Sequence, residues 1–218
     1  MCGFYSHFPL VDNPDLWDYL QVENEFKKIQ QWGKELDGVF TDKDLEVAFK
    51  DRSRSALYRM IERLISDGDM IKIKRGMYAT QKAKLSTLSS RIYPESYIST
   101  GTVLAQNTII GSIPARKIQA VKKGAPKIFK TEIGTIEYLS ISPKLFFGYE
   151  RRENYNWAIP EKAFLDTCYF YYKRKRFFFD PLEDVNMQLL DFKVIDSYLE
   201  RYDKRFVSYF KKIWLENE

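Results

Sequence analysis

The sequence has few of the residues on which common catalytic and metal sites depend. Cys2 and Cys168 are the only cysteines, so neither a disulfide scaffold nor a cysteine-ligated zinc site is expected. His7 is the single histidine, and both Ser-His-Asp and Cys-His catalysis need an imidazole beside the nucleophile. The ten glycines form neither GxGxxG nor GxxxxGK[ST], the usual signatures of dinucleotide and P-loop binding. We therefore expect no cofactor and no metal site.

Long apolar runs are also missing. No stretch approaches the ~18 consecutive apolar residues that can cross a membrane, and the amino terminus lacks the segments of a secretory signal. Apolar residues make up 44% of the 218 positions and charged residues 30%, which predicts a packed core in one large domain or two smaller ones. These features favour a cytoplasmic protein with no membrane partner.

Charge is distributed unevenly, although the net charge is only +5. Residues 1–51 carry 5 Lys or Arg against 11 Asp or Glu, a net charge of −6. Residues 52–91, here called the basic block, carry 10 against 3, a net charge of +7; residues 92–218 carry 20 against 16, a net charge of +4. Such a block is expected where a protein binds a polyanion, and a solvated basic face is the alternative.

The basic block coincides with a predicted order of three helices and a hairpin. Apolar residues recur at helical spacing within residues 22–36, 41–49 and 52–68. The sequence then alternates in steps of two around a tight turn at Arg75 and Gly76. This order is typical of a winged helix-turn-helix, in which the third helix enters the major groove of DNA and the hairpin approaches the DNA backbone.

Polar residues outside the apolar stripe of the third helix are predicted to contact DNA. Arginine can form two hydrogen bonds with guanine, and hydroxyl groups can bind bases or phosphates. The cations of the hairpin would bind phosphates. The predicted DNA-binding residues are Ser53, Arg54, Ser55, Tyr58, Arg59, Arg63, Lys72, Lys74, Arg75 and Tyr78.

The predicted fold class is α+β. Residues 1–21 are interpreted as a leader, residues 22–81 as the winged helix-turn-helix domain, and residues 82–90, which are polar and of low complexity, as a linker. Residues 91–218 predict an α+β domain, because two β-type segments flank Gly134 as an antiparallel pair and helical spacing dominates toward the carboxyl end. The second domain is thus expected to contain antiparallel strands followed by C-terminal helices.

A second basic surface is considered in this domain. Its cations stand near aromatic residues, a mixture that can bind single-stranded nucleic acid. The favoured alternative is that they complement the end of a helix. The residues concerned are Lys122, Lys123, Lys173, Arg174, Lys175 and Arg176.

Acidic residues near the carboxyl end raise the alternative of a metal-dependent nuclease. That chemistry would use Asp180, Asp191 and Lys193, with Asp191 and Lys193 on one face of a strand. The local spacing is helical, which separates side chains two residues apart. It favours Asp191 as the N-cap of a helix that starts at Phe192.

Several short motifs occur in an order that resembles the AbiEi family of antitoxins. They are residues 39–45 (VFTDKDL), 74–79 (KRGMYA), 97–99 (YIS), 147–148 (FG) and 158–166 (AIPEKAFLD). The similarity covers about Phe26 to the carboxyl end, and the ordered set is more specific than any one motif.

The resemblance implies that the protein is the antitoxin of a type IV toxin–antitoxin pair. Such pairs act in abortive infection, a defence against phage. The winged helix would bind repeated operator DNA, with two copies on one operator, and repress the protein's own operon. The C-terminal domain would counteract a nucleotidyltransferase-like toxin without a stable complex being required. We expect no enzymatic activity; a nuclease and a ligand-sensing winged-helix transcription factor are the alternatives.

Overall fold

The computed structural model describes the backbone of residues 14–214 and the side chains of residues 22–214. The described helices are α1 (Pro14–Glu35), α2 (Asp42–Ala48), α3 (Arg54–Ser66), α4 (Leu85–Ile92), α5 (Gly101–Gln106), α6 (Pro160–Tyr172), α7 (Phe192–Leu199) and α8 (Lys204–Trp214). The described strands are β1 (Val39–Thr41), β2 (Ile71–Lys74), β3 (Met77–Ala79), β4 (Tyr97–Ile98), β5 (Lys117–Lys122), β6 (Lys127–Thr131), β7 (Gly134–Ser140), β8 (Tyr149–Arg151) and β9 (Asn156–Ala158). None of these helices combines the length and the apolar composition needed to cross a bilayer.

The chain is α+β, as predicted, and α1 begins earlier than expected. Of the predicted leader, residues 1–13 lie outside the described residues, and residues 14–21 belong to α1. The predicted hairpin is confirmed as β2 and β3. The second helix of the prediction is also confirmed as α2, and its start is fixed by a capping box. Thr41 Oγ1 accepts a hydrogen bond from the Asp44 N–H at 3.3 Å, and the Asp44 carboxylate accepts one from the Thr41 N–H at 2.8 Å.

The first three strands form an antiparallel sheet in the order β1-β3-β2. Phe40 and Tyr78 lie opposite each other in this sheet and pack with buried residues of α1, α2 and α3. Val39, Met77 and Ala79 belong instead to the core that continues into residues 82–214. Because neighbouring residues of a strand point to opposite faces, the central strand β3 is buried on both faces.

Most of the segment predicted as a linker is helical. Residues 85–92 form α4, in which Leu88 is fully buried and Leu85 and Ile92 pack against the same core. The spacing of these three residues is helical, but small polar residues around them conceal the pattern. The Thr87 hydroxyl donates to Asp37 at 2.7 Å. The N-terminal lobe (residues 14–81) and the C-terminal lobe (residues 82–214) are therefore joined by packed structure.

The C-terminal lobe contains a six-stranded sheet in the order β6-β7-β5-β4-β9-β8. The predicted antiparallel pair around Gly134 is confirmed as β6 and β7. The sheet as a whole is mixed rather than antiparallel, because β5 pairs with β7 and β4 with β9 in parallel. Parallel partners are connected by long segments, and sequence alternation identifies hairpins more readily than such distant pairs.

Helices α6, α7 and α8 follow the strands, as predicted for the carboxyl end. The last two helices are separated near Asp203, since α7 ends at Leu199 and α8 begins at Lys204. The Asp203 carboxylate accepts a hydrogen bond from the Phe206 N–H at 2.9 Å. This bond satisfies a first-turn donor of α8.

A fully buried ion pair connects α6 to the sheet and to the helices beyond it. Lys162 and Asp166 lie one helical turn apart and form an ion pair. Asp166 also accepts hydrogen bonds from the Tyr97 hydroxyl at 3.0 Å and the Ser99 hydroxyl at 2.8 Å, while Lys162 donates to the Tyr202 hydroxyl at 3.2 Å. Burial raises the pKa of Asp166 and lowers the pKa of Lys162, and the attraction between the two charges opposes both shifts.

We expect Lys162→Met to lower the free energy of unfolding by about 3–5 kcal/mol, because it leaves the Asp166 carboxylate buried without a cation. Urea unfolding followed by circular dichroism measures this change. The control Lys193→Met removes an exposed lysine of α7 and should change stability by less than about 0.5 kcal/mol. The double variant Lys162→Met/Asp166→Leu should recover part of the loss. A loss below about 1 kcal/mol in the single variant would contradict this account.

Candidate nucleic-acid interface

One side of helix α3 is polar and exposed, and the opposite side is buried in the core. Leu57, Met60, Ile61 and Leu64 are buried at helical spacing. The helix starts at Ser53, whose hydroxyl accepts a hydrogen bond from the Ala56 N–H at 3.3 Å. Ser53 is thus the N-cap of α3, a structural role that the sequence analysis did not assign to it.

Five cations remain exposed on α3 and on the β2–β3 hairpin. None of them forms an ion pair with any residue of the described part of the chain. Their positive charge therefore faces solvent without a neutralising carboxylate in contact. They are Arg54, Arg59, Lys72, Lys74 and Arg75.

Asp42 places the hairpin turn beside the first half of α3. Its backbone N–H donates to the Gly76 carbonyl at 3.1 Å, and its carboxylate accepts a hydrogen bond from the Tyr58 hydroxyl at 3.4 Å. The Arg54 guanidinium lies 5.8 Å from the centre of the Tyr58 ring. The cations of the hairpin consequently lie beside those of α3. We call the surface that they form together the basic face, which consists of Arg54, Ser55, Tyr58, Arg59, Lys72, Lys74 and Arg75.

Tyr78 was predicted to contact DNA, and the structure contradicts this. The side chain is 5% exposed and packs opposite Phe40. Burial, together with the neighbouring Asp42 carboxylate, raises the pKa of Tyr78 to about 12. The prediction failed because alternation assumes one solvated face, whereas β3 is the central strand and is covered on both faces.

Arg63 was also predicted to contact DNA, and its side chain is 40% exposed while it binds α1. It forms an ion pair with Glu25, which also pairs with Arg52 and is only 3% exposed. Sequence reasoning missed Glu25. The available signal was that Glu25 stands four residues before the buried Ile29, which places a carboxylate within the apolar stripe of α1. Such an acid beside a basic segment indicates an internal ion pair.

The second basic surface is not one surface. Lys122 is buried, with its ammonium 4.7 Å from the centre of the Tyr93 ring. Lys175 turns inward and forms an ion pair with Glu137. Lys123 is exposed but lies 3.2 Å from Glu95. The remaining members are exposed around the carboxyl end of α6, namely Lys173, Arg174 and Arg176, as expected for cations that complement a helix end.

The acids of the nuclease alternative are engaged with nearby backbone. The Asp180 carboxylate accepts a hydrogen bond from the Leu182 N–H at 2.9 Å. Asp191 accepts one from the Lys193 N–H at 2.9 Å, which confirms its role as the N-cap of α7. Among the residues that the structure describes, no three His, Cys, Asp or Glu side chains lie close enough together to hold a metal ion.

We expect Gly76→Ala to be more destabilising than Gly68→Ala. Both glycines have positive φ, +70° and +81°, so each substitution should cost about 1–2 kcal/mol of backbone strain. A Cβ at Gly76 would also lie 2.8 Å from the Asp42 carboxylate, whereas a Cβ at Gly68 would have no described atom within 4 Å. Urea unfolding gives the loss of stability in each variant, and the difference between the two losses measures the effect of the contact with Asp42. Equal losses would contradict the close contact between the hairpin turn and Asp42.

No model of a known protein family matches the chain, and no curated protein matches it. The resemblance to the AbiEi antitoxins therefore depends on the short motifs alone and stays a prediction. Within those motifs, Thr41 and Asp44 cap α2, Gly76 forms the hairpin turn, and Lys162 and Asp166 form the buried ion pair.

Proposed function

We propose that the N-terminal lobe is a winged helix-turn-helix that binds duplex DNA, with α3 in the major groove and the β2–β3 hairpin against the phosphate backbone. The observation that carries this proposal is the basic face, whose cations are exposed and unpaired among the described residues. The element order α1-β1-α2-α3-β2-β3 and the sheet order β1-β3-β2 support it.

The residues of the basic face divide by the contacts that they could make. Arg54 and Arg59 lie in the first half of α3, and their guanidinium groups suit the paired acceptors of guanine. Lys72, Lys74 and Arg75 lie on the hairpin and suit phosphates. Phosphate binding releases counterions, so the affinity should fall steeply as salt increases.

The wider role that we propose is that of a type IV antitoxin in the cytoplasm, and it draws on the AbiEi-like motifs. The N-terminal lobe would repress the protein's own operon, as two copies on a repeated operator. The C-terminal lobe would counteract a nucleotidyltransferase-like toxin, and we assign no reaction to either lobe. A neighbouring reading frame that encodes such a toxin would favour this role over that of a ligand-sensing transcription factor.

We expect Arg54→Ala and Arg59→Ala each to weaken binding to operator DNA by about 1–3 kcal/mol, if each arginine makes two hydrogen bonds to a base. Fluorescence anisotropy with DNA from upstream of the gene measures the affinity. The control Lys127→Ala removes an exposed lysine of β6, in the other lobe, and should leave the affinity unchanged. Wild-type affinity in both arginine variants would refute the placement of α3 in the groove.

We expect the double variant Arg54→Ala/Arg59→Ala to lose repression but to keep protecting cells from the toxin, because it leaves the C-terminal lobe intact. A promoter reporter measures repression, and growth during toxin expression measures protection. Lys127→Ala should retain both activities. Failure of the wild-type protein to protect would overturn the antitoxin role and leave the DNA-binding proposal standing.

A further inference from the structure

An open pocket of about 530 Å³ lies in the C-terminal lobe, where the carboxyl end of α6 meets α8. Three tyrosines and three cations line it, and none of the Asp or Glu residues that the structure describes does so. It shares no residue with the basic face, and neither the DNA-binding proposal nor the antitoxin role uses it. We call it the tyrosine pocket, and its lining consists of Tyr171, Tyr172, Arg174, Lys175, Arg176 and Tyr209.

The tyrosine rings form an aromatic surface that is supported from behind. The ring centres of Tyr172 and Tyr209 lie 4.9 Å apart, and both rings are only partly buried. Tyr172 packs against the buried Phe206 with 5.7 Å between ring centres, and Tyr209 against the buried Trp214 with 5.9 Å. Because this packing already fixes the rings, a planar group can stack on them at little cost in side-chain entropy.

Positive charge surrounds these rings and continues along α8. Arg174 and Arg176 are exposed and form no ion pair with any residue of the described part of the chain. Arg205 and Lys212 lie four residues before and three residues after Tyr209, and therefore on the same side of α8. Cations at the carboxyl end of α6 complement the helix dipole, but Arg205 stands in the first turn of α8, where the dipole disfavours a cation. Complementing helix ends does not explain this surface.

The backbone of Arg174 indicates, independently of the pocket, that this side chain has a use. Its φ is +67°, and it directly follows the C-cap of α6. The Lys175 N–H donates to the Phe170 carbonyl at 2.9 Å, a bond typical of helices that end in a left-handed residue. Glycine is the usual residue at this position, because a Cβ there approaches the following carbonyl oxygen. An arginine at this position therefore strains the turn.

Strain of this kind persists where other interactions of the residue favour it. Arg116, with φ of +56°, is the matched case, since its guanidinium donates to the Ile133 carbonyl at 3.0 Å. The Arg174 guanidinium forms no hydrogen bond or ion pair with any residue that the structure describes. The other described non-glycine residues with positive φ, each of which forms a side-chain hydrogen bond within the chain, are Asp37, Thr100, Thr108 and Arg116.

We propose that the tyrosine pocket binds single-stranded nucleic acid. A base stacks on the surface formed by Tyr172 and Tyr209, Arg174 and Arg176 bind its phosphates, and the cations of α8 bind those of the neighbouring nucleotides. A duplex hides the faces of its bases within the stack, so the rings select an unpaired strand. The site does not rest on the proposed function, because no residue of the basic face lines it.

Arg174→Gly distinguishes ligand binding from a structural role, with Arg116→Gly as a control at a matched backbone position. Binding is measured by fluorescence anisotropy with labelled oligouridine and oligothymidine of about 12 nucleotides. The full-length Arg54→Ala/Arg59→Ala protein serves as the background, which limits binding by the basic face. Arg174→Gly should weaken binding about tenfold, because it removes a charged donor, and Arg116→Gly should change it by less than about twofold.

Urea unfolding of the same variants provides the second measurement. Arg174→Gly should raise the urea midpoint, because glycine adopts positive φ without strain. A lower midpoint would show that the fold itself uses the arginine side chain and would overturn the inference. Absence of binding by both oligonucleotides would also overturn it, as would equal binding by Arg174→Gly and Arg116→Gly. Binding of either oligonucleotide with the expected loss supports the proposal, and the ratio of the two affinities identifies the preferred sugar.

The stacking part of the proposal is tested at Tyr209. Tyr209→Leu should weaken oligonucleotide binding about tenfold, whereas Tyr209→Phe keeps the ring and should stay within about twofold of the parent protein. Inorganic polyphosphate of matched length should displace the labelled strand at least about tenfold less well than the unlabelled strand does, because it offers charge without bases. Equal displacement would show that charge alone binds and would refute the site.

Operator DNA separates this site from the basic face. Tyr209→Leu and Arg174→Gly, each made in the otherwise unchanged protein, should leave the affinity for duplex operator DNA unchanged. A weakened affinity would make the pocket part of the duplex interface and would contradict selection of an unpaired strand. Failure of the unchanged protein to bind operator DNA would overturn the proposed function and leave the tyrosine pocket standing.

Discussion

The burial of β3 on both faces is the constraint on which the arrangement of the two lobes depends. On one face, Tyr78 packs with the core of α1, α2 and α3; on the other, Met77 and Ala79 belong to the core of the C-terminal lobe. A strand covered in this way cannot move without opening both cores. The hairpin that ends in the exposed cations is therefore held by the C-terminal lobe as well as by its own helices.

Asp37 reinforces the same junction through polar contacts. Its carboxylate accepts hydrogen bonds from Thr87 at 2.7 Å and from Asn154 at 2.8 Å, and it forms the ion pair with Lys84. Burial opposes ionisation of this carboxyl group, but its hydrogen-bond donors outweigh burial and hold the pKa of Asp37 below its usual value. The charged form therefore persists at neutral pH and joins α4 and the loop before β9 to the N-terminal lobe.

Local patterns in the sequence were sufficient to predict the helices and strands that bury only one side. The apolar spacing of α2 and α3 and the alternation of the hairpin each depend on residues within one element. They predicted α2, α3 and the hairpin. Failures occurred where a distant partner decides the environment. Lys175 is half-buried because its ammonium pairs with Glu137, 38 residues earlier in sequence, and such a pairing has no local signal.

The uneven charge of the sequence reflects ion pairs inside the protein as well as an exposed basic surface. Four cations of the basic block bind carboxylates of residues 1–51 and so hold the helices together: Arg52 and Arg63 with Glu25, Lys84 with Asp37, and Arg91 with Asp44. The acidic amino-terminal region and the basic block are thus partly a matched pair, which the net charges alone do not reveal. The cations of the block that form no ion pair with a described residue are those of the basic face and Lys82. Because screening limits the reach of an exposed charge to about 8 Å at physiological salt, the attraction of the basic face for anions comes from its own five cations rather than from the net charge of +5.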